Sequence, residues 1–362
     1  MRVTQPLTLL VDGHVLDGKP QGTVAYVAGL YGAIARHNLA KVIIACHDSS
    51  SLDRWFPGVT GLEWEPIRSH GRAGRLGIEL PWLQARIKPD YAHFNYICPP
   101  IKTGPWINTI HDVLFLDHPE YFPLSYRLKN RLLFQTSAMR SEKVFTVSQF
   151  SRDAISRHFG LDKQQIAVIP AAPDAFIDAS DEPVEGLQPG RFAVYVSRFE
   201  PRKNQHSLVE AFHALNTELP VGTKLVLVGY PALPYPELDR ALAQAGERVR
   251  LLSNITNAQL TWLYRNAAAS IYPSNAEGFG MPPLEAVAAG GRSFCADNTA
   301  MSELSGLVQG QFDASSQAEI RDCVRHVFAS NAHRPDPDMK AKLAQSYSWD
   351  ASAQAMIDAL KA

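Results

Sequence analysis

Short apolar runs alternate along this chain with longer stretches in which apolar positions recur every three or four residues. The first pattern suits buried strands and the second amphipathic helices. In the first half it predicts strands over residues 7–11, 41–46, 91–94, 106–111 and 143–147, and helices over 24–36 and 151–159. A polar stretch at 173–190, carrying Pro, Gly and acidic residues, reads as an interdomain linker. A second set follows: strands at 192–196, 224–228, 249–252 and 269–272, with helices at 204–215, 235–245, 258–267 and 284–289. Helical patterns at 316–329 and 349–360 close the chain. Such alternation predicts an α/β protein of two doubly wound domains, with ligands bound in a cleft beyond the carboxyl ends of the strands.

Composition agrees with that picture and narrows it. At 362 residues the chain exceeds what one core usually supports. Hydrophobic content of 46%, charged content of 20% and a net charge of −1 describe an ordinary globular protein and exclude a globally basic nucleic-acid binder. No apolar run approaches the roughly 20 residues of a membrane span. The opening residues 1–12 are too polar for a signal peptide and read as a first strand. Cys46, Cys98, Cys295 and Cys323 are scattered without a CxxC, so reduced structural thiols in a cytoplasmic protein are expected.

The chemistry concentrates in Glu277-Gly-Phe-Gly-Met-Pro-Pro-Leu-Glu285, which follows Tyr272-Pro273-Ser274 at a predicted strand end. Pro282 and Pro283 suit a first helical turn. Gly278 and Gly280 let backbone approach a ligand, and the helix start offers unpaired N–H groups to an anion. Carboxylates beside a phosphate cradle need another partner, and sugar or ribose hydroxyls supply one. The loop therefore points to a nucleotide sugar, against the alternative of a solvated turn with Glu277 exposed and Glu285 satisfied locally.

A second cluster, Ser197-Arg198-Phe-Glu-Pro-Arg202-Lys203-Asn204, sits between a strand and a helix. Its cations would oppose the helix dipole unless an anion lay between them. His111, in Asn108-Thr-Ile-His111-Asp112, ends a strand, where a lone histidine is otherwise structural. Gly22 precedes a helix and could bring an N–H towards a diphosphate. Ser148 reads as part of an N-cap region, with Ser151 as the cap. Asp336-Pro-Asp338 reads as helix capping and not as a metal site.

Together these clusters resemble the retaining glycosyltransferases of family 4, with their two-domain GT-B fold, and within that family the bacterial mannosyltransferases that build surface polysaccharides. The resemblance extends to Phe145-Thr-Val-Ser-Gln-Phe-Ser-Arg and to Ser348-Trp349. It implies an acceptor-binding domain at 1–175, a nucleotide-sugar domain at 190–345, and a terminal helix at 346–362 that packs back on the first domain. It implies that Arg198 and Lys203 bind the donor diphosphate and Glu285 the ribose, while Glu277 holds hydroxyls of the transferred sugar. Backbone N–H groups from Phe279 to Met281 would contact sugar and phosphate, Ile255 would lie at the base, and His111 would stabilise an oxocarbenium-like transition state. No cofactor and no metal are expected. The implied donor is GDP-mannose, ahead of UDP-glucose, and the acceptor a saccharide or lipid-linked saccharide. A nucleotide-sugar 2-epimerase on the same scaffold is the rival enzyme; a nicotinamide fingerprint or P-loop is absent.

Two positions depart from the family pattern. Gly290-Gly291-Arg292-Ser293 replaces a Gly-Thr-Pro turn, and Gly22 stands where a Gly-Gly pair is common. Outside the motifs, the basic segment 126–134, near Arg140 and Lys143, reads either as a solvated helix face or as a peripheral contact with anionic membrane. Arg68, His70, Arg72 and Arg75 form a smaller basic group that could serve the acceptor.

Overall fold

The strands at 8–12, 41–46, 192–196 and 224–228 are rich in Val, Ile, Leu and Ala without polar alternation, as expected when both faces of a parallel sheet are covered. The computed structural model describes residues 6–18, 21–329 and 337–362. Among the described residues thirteen strands fall into two sheets. The first contains β1 (Thr8–Asp12), β2 (Lys41–Cys46), β3 (Leu62–Pro66), β4 (Tyr91–Asn95), β5 (Trp106–Thr109), β6 (Lys143–Thr146) and β7 (Ile166–Val168). The second contains β8 (Phe192–Val196), β9 (Lys224–Val228), β10 (Val249–Leu252), β11 (Ala269–Tyr272), β12 (Ser293–Ala296) and β13 (Gly310–Phe312).

Their orders are β3-β2-β1-β4-β5-β6-β7 and β10-β9-β8-β11-β12-β13. The registered pairs within both sheets are parallel. Each order reverses direction once, between β1 and β4 and between β8 and β11. Connections leave the sheet on opposite sides at such a switch point and open a crevice at the strands' carboxyl ends.

The chain divides into two compact units. One comprises the residues up to Ala172 together with Tyr347–Ala362, and the other runs from Pro173 to Ser346. In the first, the terminal helix Trp349–Lys361 packs on the helix Gly22–Arg36. Trp349 stands edge-on to Tyr26 at 5.7 Å, and Ser352 Oγ donates to the Pro170 carbonyl at 2.8 Å.

Several elements differ from the sequence expectation. The stretch at 173–190 is not a free linker. Phe176 and Val184 are buried, Phe176 sits edge-on to Tyr264, and Arg265 binds Asp181 and the Ala179 carbonyl. Its few apolar residues anchor it to the second unit. Ser148, and not Ser151, caps the helix Gln149–Phe159, its Oγ accepting the Ser151 N–H at 3.0 Å. Strands β3, β7, β12 and β13 escaped the apolar pattern because they have three to five residues, and polar groups interrupt all but β7. The four cysteines are buried free thiols, each pushed up to about 12 by burial.

The glycine pair after the helix Met281–Ala288 has a steric reason. Gly290 takes φ +85°, which stops the helix, and a Cβ on Gly291 would lie 2.1 Å from the Tyr264 carbonyl oxygen. The departure from the family turn is thus a helix stop that leads into β12.

Candidate active site

In the second unit both motif loops emerge at the sheet's switch point. Residues 197–204 follow β8 and residues 273–280 follow β11. The loops are stitched together: the Asn275 N–H donates to the Arg202 carbonyl at 2.8 Å, and Ser274 Oγ reaches the same oxygen at 3.3 Å.

Glu277 is the hub. Its Oε1 accepts hydrogen bonds from Lys203 Nζ and from Tyr272 OH, the latter at 2.9 Å. Its Oε2 lies 3.3 Å from Arg202 Nη1, and its backbone N–H donates to Thr299 Oγ1 at 3.0 Å. Lys203 Nζ also donates to Tyr272 OH at 3.1 Å. Burial works to raise the Glu277 carboxyl, but Lys203 and Arg202 outweigh it and hold the group at about 2. Burial likewise lowers the Lys203 ammonium, against the pull of Glu277.

Around this hub Glu200, buried, pairs with Arg202 at 2.7 Å and with Arg198 at 3.7 Å. Three cations face two carboxylates, so one positive charge is in excess, and it resides on the half-exposed Arg198. Such a surplus favours an anionic ligand.

The glycine loop ends in the helix Met281–Ala288. Gly280 has φ +101°, a conformation strained for any other residue, and a Cβ there would meet Met301 at 3.0 Å. In the first turn of the helix Pro282 and Pro283 carry no N–H, so Met281 is the one residue of its first three positions with an N–H that lacks a helical acceptor. Phe279 is buried beside it. Glu285, one turn further on, accepts the Tyr264 hydroxyl at 2.9 Å. Burial, with no cation to offset it, raises Glu285 to about 7 although Tyr264 lowers it. Ile255 stands apart at the carboxyl end of β10, two strands from β8.

The first unit presents a different group. His111 lies two residues beyond β5, its Nε2 3.3 Å from Asn95 Oδ1 at the end of β4, with Tyr26 edge-on at 4.8 Å. Burial lowers it to about 4, which keeps the imidazole neutral at ordinary pH. Beneath it His93 bridges Tyr31 OH at 2.6 Å and Thr109 Oγ1 at 2.7 Å, and burial brings it to about 3. Gly22 is the first residue of its helix, and a Cβ there would touch nothing, so the fold itself does not demand a glycine. The basic group at 68–75 is not one patch. Arg75 is buried and pairs with Asp12 at 3.4 Å, while His70 stacks on His47.

Sequence reasoning placed Glu277, Lys203, Arg198, Arg202 and Gly280 at the motif loops, with Arg202 as a cation for phosphate and not as a partner of Glu277, and omitted Glu200, Tyr272 and Tyr264 from the site. The signal for Tyr272 was its place at the strand end just before the loop. Tyr264, 21 residues before Glu285, left none. Among the described residues no group of three or more His, Cys, Asp or Glu could hold a metal ion. Asp336 lies outside the described residues, and Asp338 is in the first turn of the helix Pro337–Ser346.

Comparison with known proteins matches residues 20–175 to Glycosyltransferase Family 4 and residues 179–306 to Glycosyl transferases group 1. The O-antigen chain mannosyltransferase B of Escherichia coli is 29% identical over 272 residues, 70% of this chain and 67% of its own length. The serotype-specific mannosyltransferase WbdA of the same organism is 25% identical over 84% of this chain, which spans only 40% of that protein. The crystal structure of HepE from Anabaena in complex with UDP and glucose superposes with a TM-score of 0.71 at 18% identity, covering 99% of this chain and all of that one.

Proposed function

The chain belongs to the GT-B glycosyltransferases, and we propose that it moves mannose from GDP-mannose, with retention of configuration, to a saccharide or lipid-linked saccharide at the cytoplasmic face of a membrane. The observation that carries this reading is the Glu277 hub at the switch point of the second sheet. It combines a carboxylate kept ionised for sugar hydroxyls with a surplus cation and a free helix start for a diphosphate. The likeness to O-antigen mannosyltransferases supports mannose as the sugar.

Each residue then has a task. Arg198 and Lys203 neutralise the diphosphate as the glycosidic C–O bond lengthens. Lys203 spends two of its three donors on Glu277 and Tyr272, which leaves one for a phosphate oxygen. Glu277 orients the sugar, the N–H groups from Phe279 to Met281 meet sugar and phosphate, and Glu285 accepts ribose hydroxyls. Ile255 contributes to the base pocket, and Gly22 lets backbone approach the diphosphate. His111, neutral because it is buried, offers an electron-rich ring to the developing oxocarbenium charge without repelling it. The acceptor oxygen bonds to the anomeric carbon on the face the diphosphate leaves, and a donor phosphate oxygen takes its proton. The chain's own cations serve as the counter-charge, with no metal.

Thermal shifts with GDP-mannose, UDP-glucose and related donors test the donor. A saturating donor at 100 times its Kd adds about 2.7 kcal/mol of stability. Transfer to a mannan acceptor, with the product anomer read by NMR, tests the reaction. Glu277→Ala should lower turnover by about 100-fold or more, the scale of a lost transition-state contact. Stabilisation by UDP-glucose and not GDP-mannose overturns the donor, and an epimerised sugar formed from donor alone overturns the reaction.

A further inference from the structure

We propose that the outer face of the helix Leu124–Arg140 docks on the surface of an anionic bilayer. The helix has two apolar faces. On one, Asn130, Phe134, Ser137 and Ala138 are buried, with Phe134 edge-on to Phe115 at 5.4 Å. On the other, Leu124, Leu128, Leu132 and Met139 are 62%, 62%, 64% and 64% exposed. At 3.6 residues per turn these four fall within about 80° of arc, pointing away from the buried side. An exposed apolar stripe, broken by Gln135 between Leu132 and Met139, contributes nothing to the core and marks a surface that meets something.

The chemistry at its edges says what. Arg127 and Arg131 border the stripe on one side, Lys129 and Arg140 on the other, and the seventeen residues contain no Asp or Glu. Arg140 is partly engaged, donating to the Pro100 carbonyl at 2.9 Å and lying over the Trp106 ring. Lys129 and Arg131 are exposed and form no salt bridge among the described residues. Next to Pro100, Ile101 is exposed as well. A second copy of the chain paired about a two-fold axis would bring these cations against one another. A layer of lipid phosphates takes cations and apolar stripe together, the stripe sinking about 5–10 Å to the acyl boundary. Among the described residues no helix is long and apolar enough to cross a membrane, so the contact is peripheral.

This docking deepens the proposed function, because it brings the enzyme to a lipid-linked acceptor, and it rests on that reading for its purpose only. Binding is therefore read without donor or turnover. The full chain is sedimented with phosphatidylcholine vesicles and with phosphatidylcholine–phosphatidylglycerol vesicles at low and moderate salt. The wild type should partition to the anionic vesicles alone and be released by salt. Lys129→Gln with Arg131→Gln should weaken binding about 30-fold, since each cation near such a surface contributes about fivefold. Leu128→Ser with Leu132→Ser should weaken it by about tenfold or more. Both variants should keep the wild-type melting temperature and transfer to a soluble acceptor. No binding by the wild type, equal binding to both vesicles, or wild-type binding by both variants overturns the proposal. So does a dimer in sedimentation velocity that the two serines dissolve without vesicle binding. Loss of transfer with vesicle binding intact would count against the proposed function alone.

Discussion

The carboxyl ends of the two sheets handle buried polar groups in opposite ways. In the first unit the rings of His93 and His111 are enclosed among uncharged partners, and the buried Asp12 faces Arg75 at 3.4 Å. Burial raises the acid to about 6 and lowers the two bases to about 3 and 4. At neutral pH the two rings are uncharged while Asp12 is mostly ionised beside Arg75, and hydroxyl and amide partners satisfy the rings. In the second unit Glu277 is just as enclosed, yet two cations hold it ionised. Burial alone does not set a charge state; the partner does. Under the proposed function, a neutral His111 suits a place beside developing positive charge, and the charged Glu277 hub suits the departure of a diphosphate.

Removing a partner should break this contrast most visibly. Lys203→Ala leaves Glu277 with one cation and should cost about 3–5 kcal/mol in denaturant unfolding. Lys203→Met combined with Glu277→Leu should recover much of that stability without recovering transfer, because an apolar pair of similar volume avoids the desolvation cost. If the single variant unfolds like the wild type, the hub does not hold the second unit together.

The two glutamates of one loop and helix give a finer test. Glu277 is depressed from 4.5 to about 2, so its contribution is present above pH 4.5 and lost as pH falls towards 2. Glu285 is raised from 4.5 to about 7, so its contribution is full below pH 4.5 and lost as pH rises through about 7. Stability measured against pH should therefore fall on both sides, and Glu285→Gln should flatten the upper limb only. Donor affinity should rise with pH across that upper limb, since ribose hydroxyls bind the ionised form better, and should be flat in the variant.

The smallest effect concerns His111. Its imidazole NMR signals should show no protonation between about pH 5 and 8, where an ordinary histidine titrates. A midpoint near 6.5 would place the ring in water and remove the contrast between the two ends.

Much of this arrangement was legible in the residue order. Apolar runs such as 41–46 and 224–228 became interior strands with the expected bounds, because burial on both faces leaves an uninterrupted signal. The glycine loop and the Arg198–Lys203 segment were legible as strand-to-helix turns, since backbone freedom and helix starts are local properties. Less visible was the helix Leu124–Arg140. Apolar residues on both of its faces blur the single stripe that periodicity detects, so only its basic character stood out.

Residue order by itself thus determined the α/β alternation, the two sets of strands and the residue types gathered at the loops. Tertiary structure alone decided which of those residues meet and in what charge state. Lys203 and Glu277 are 74 positions apart and become an ion pair only when β8 and β11 lie side by side. Arg75 sits in a basic run yet is buried against Asp12, 63 positions earlier. Local pattern governs which backbone forms; electrostatics depends on distance and dielectric, and both are properties of the folded chain.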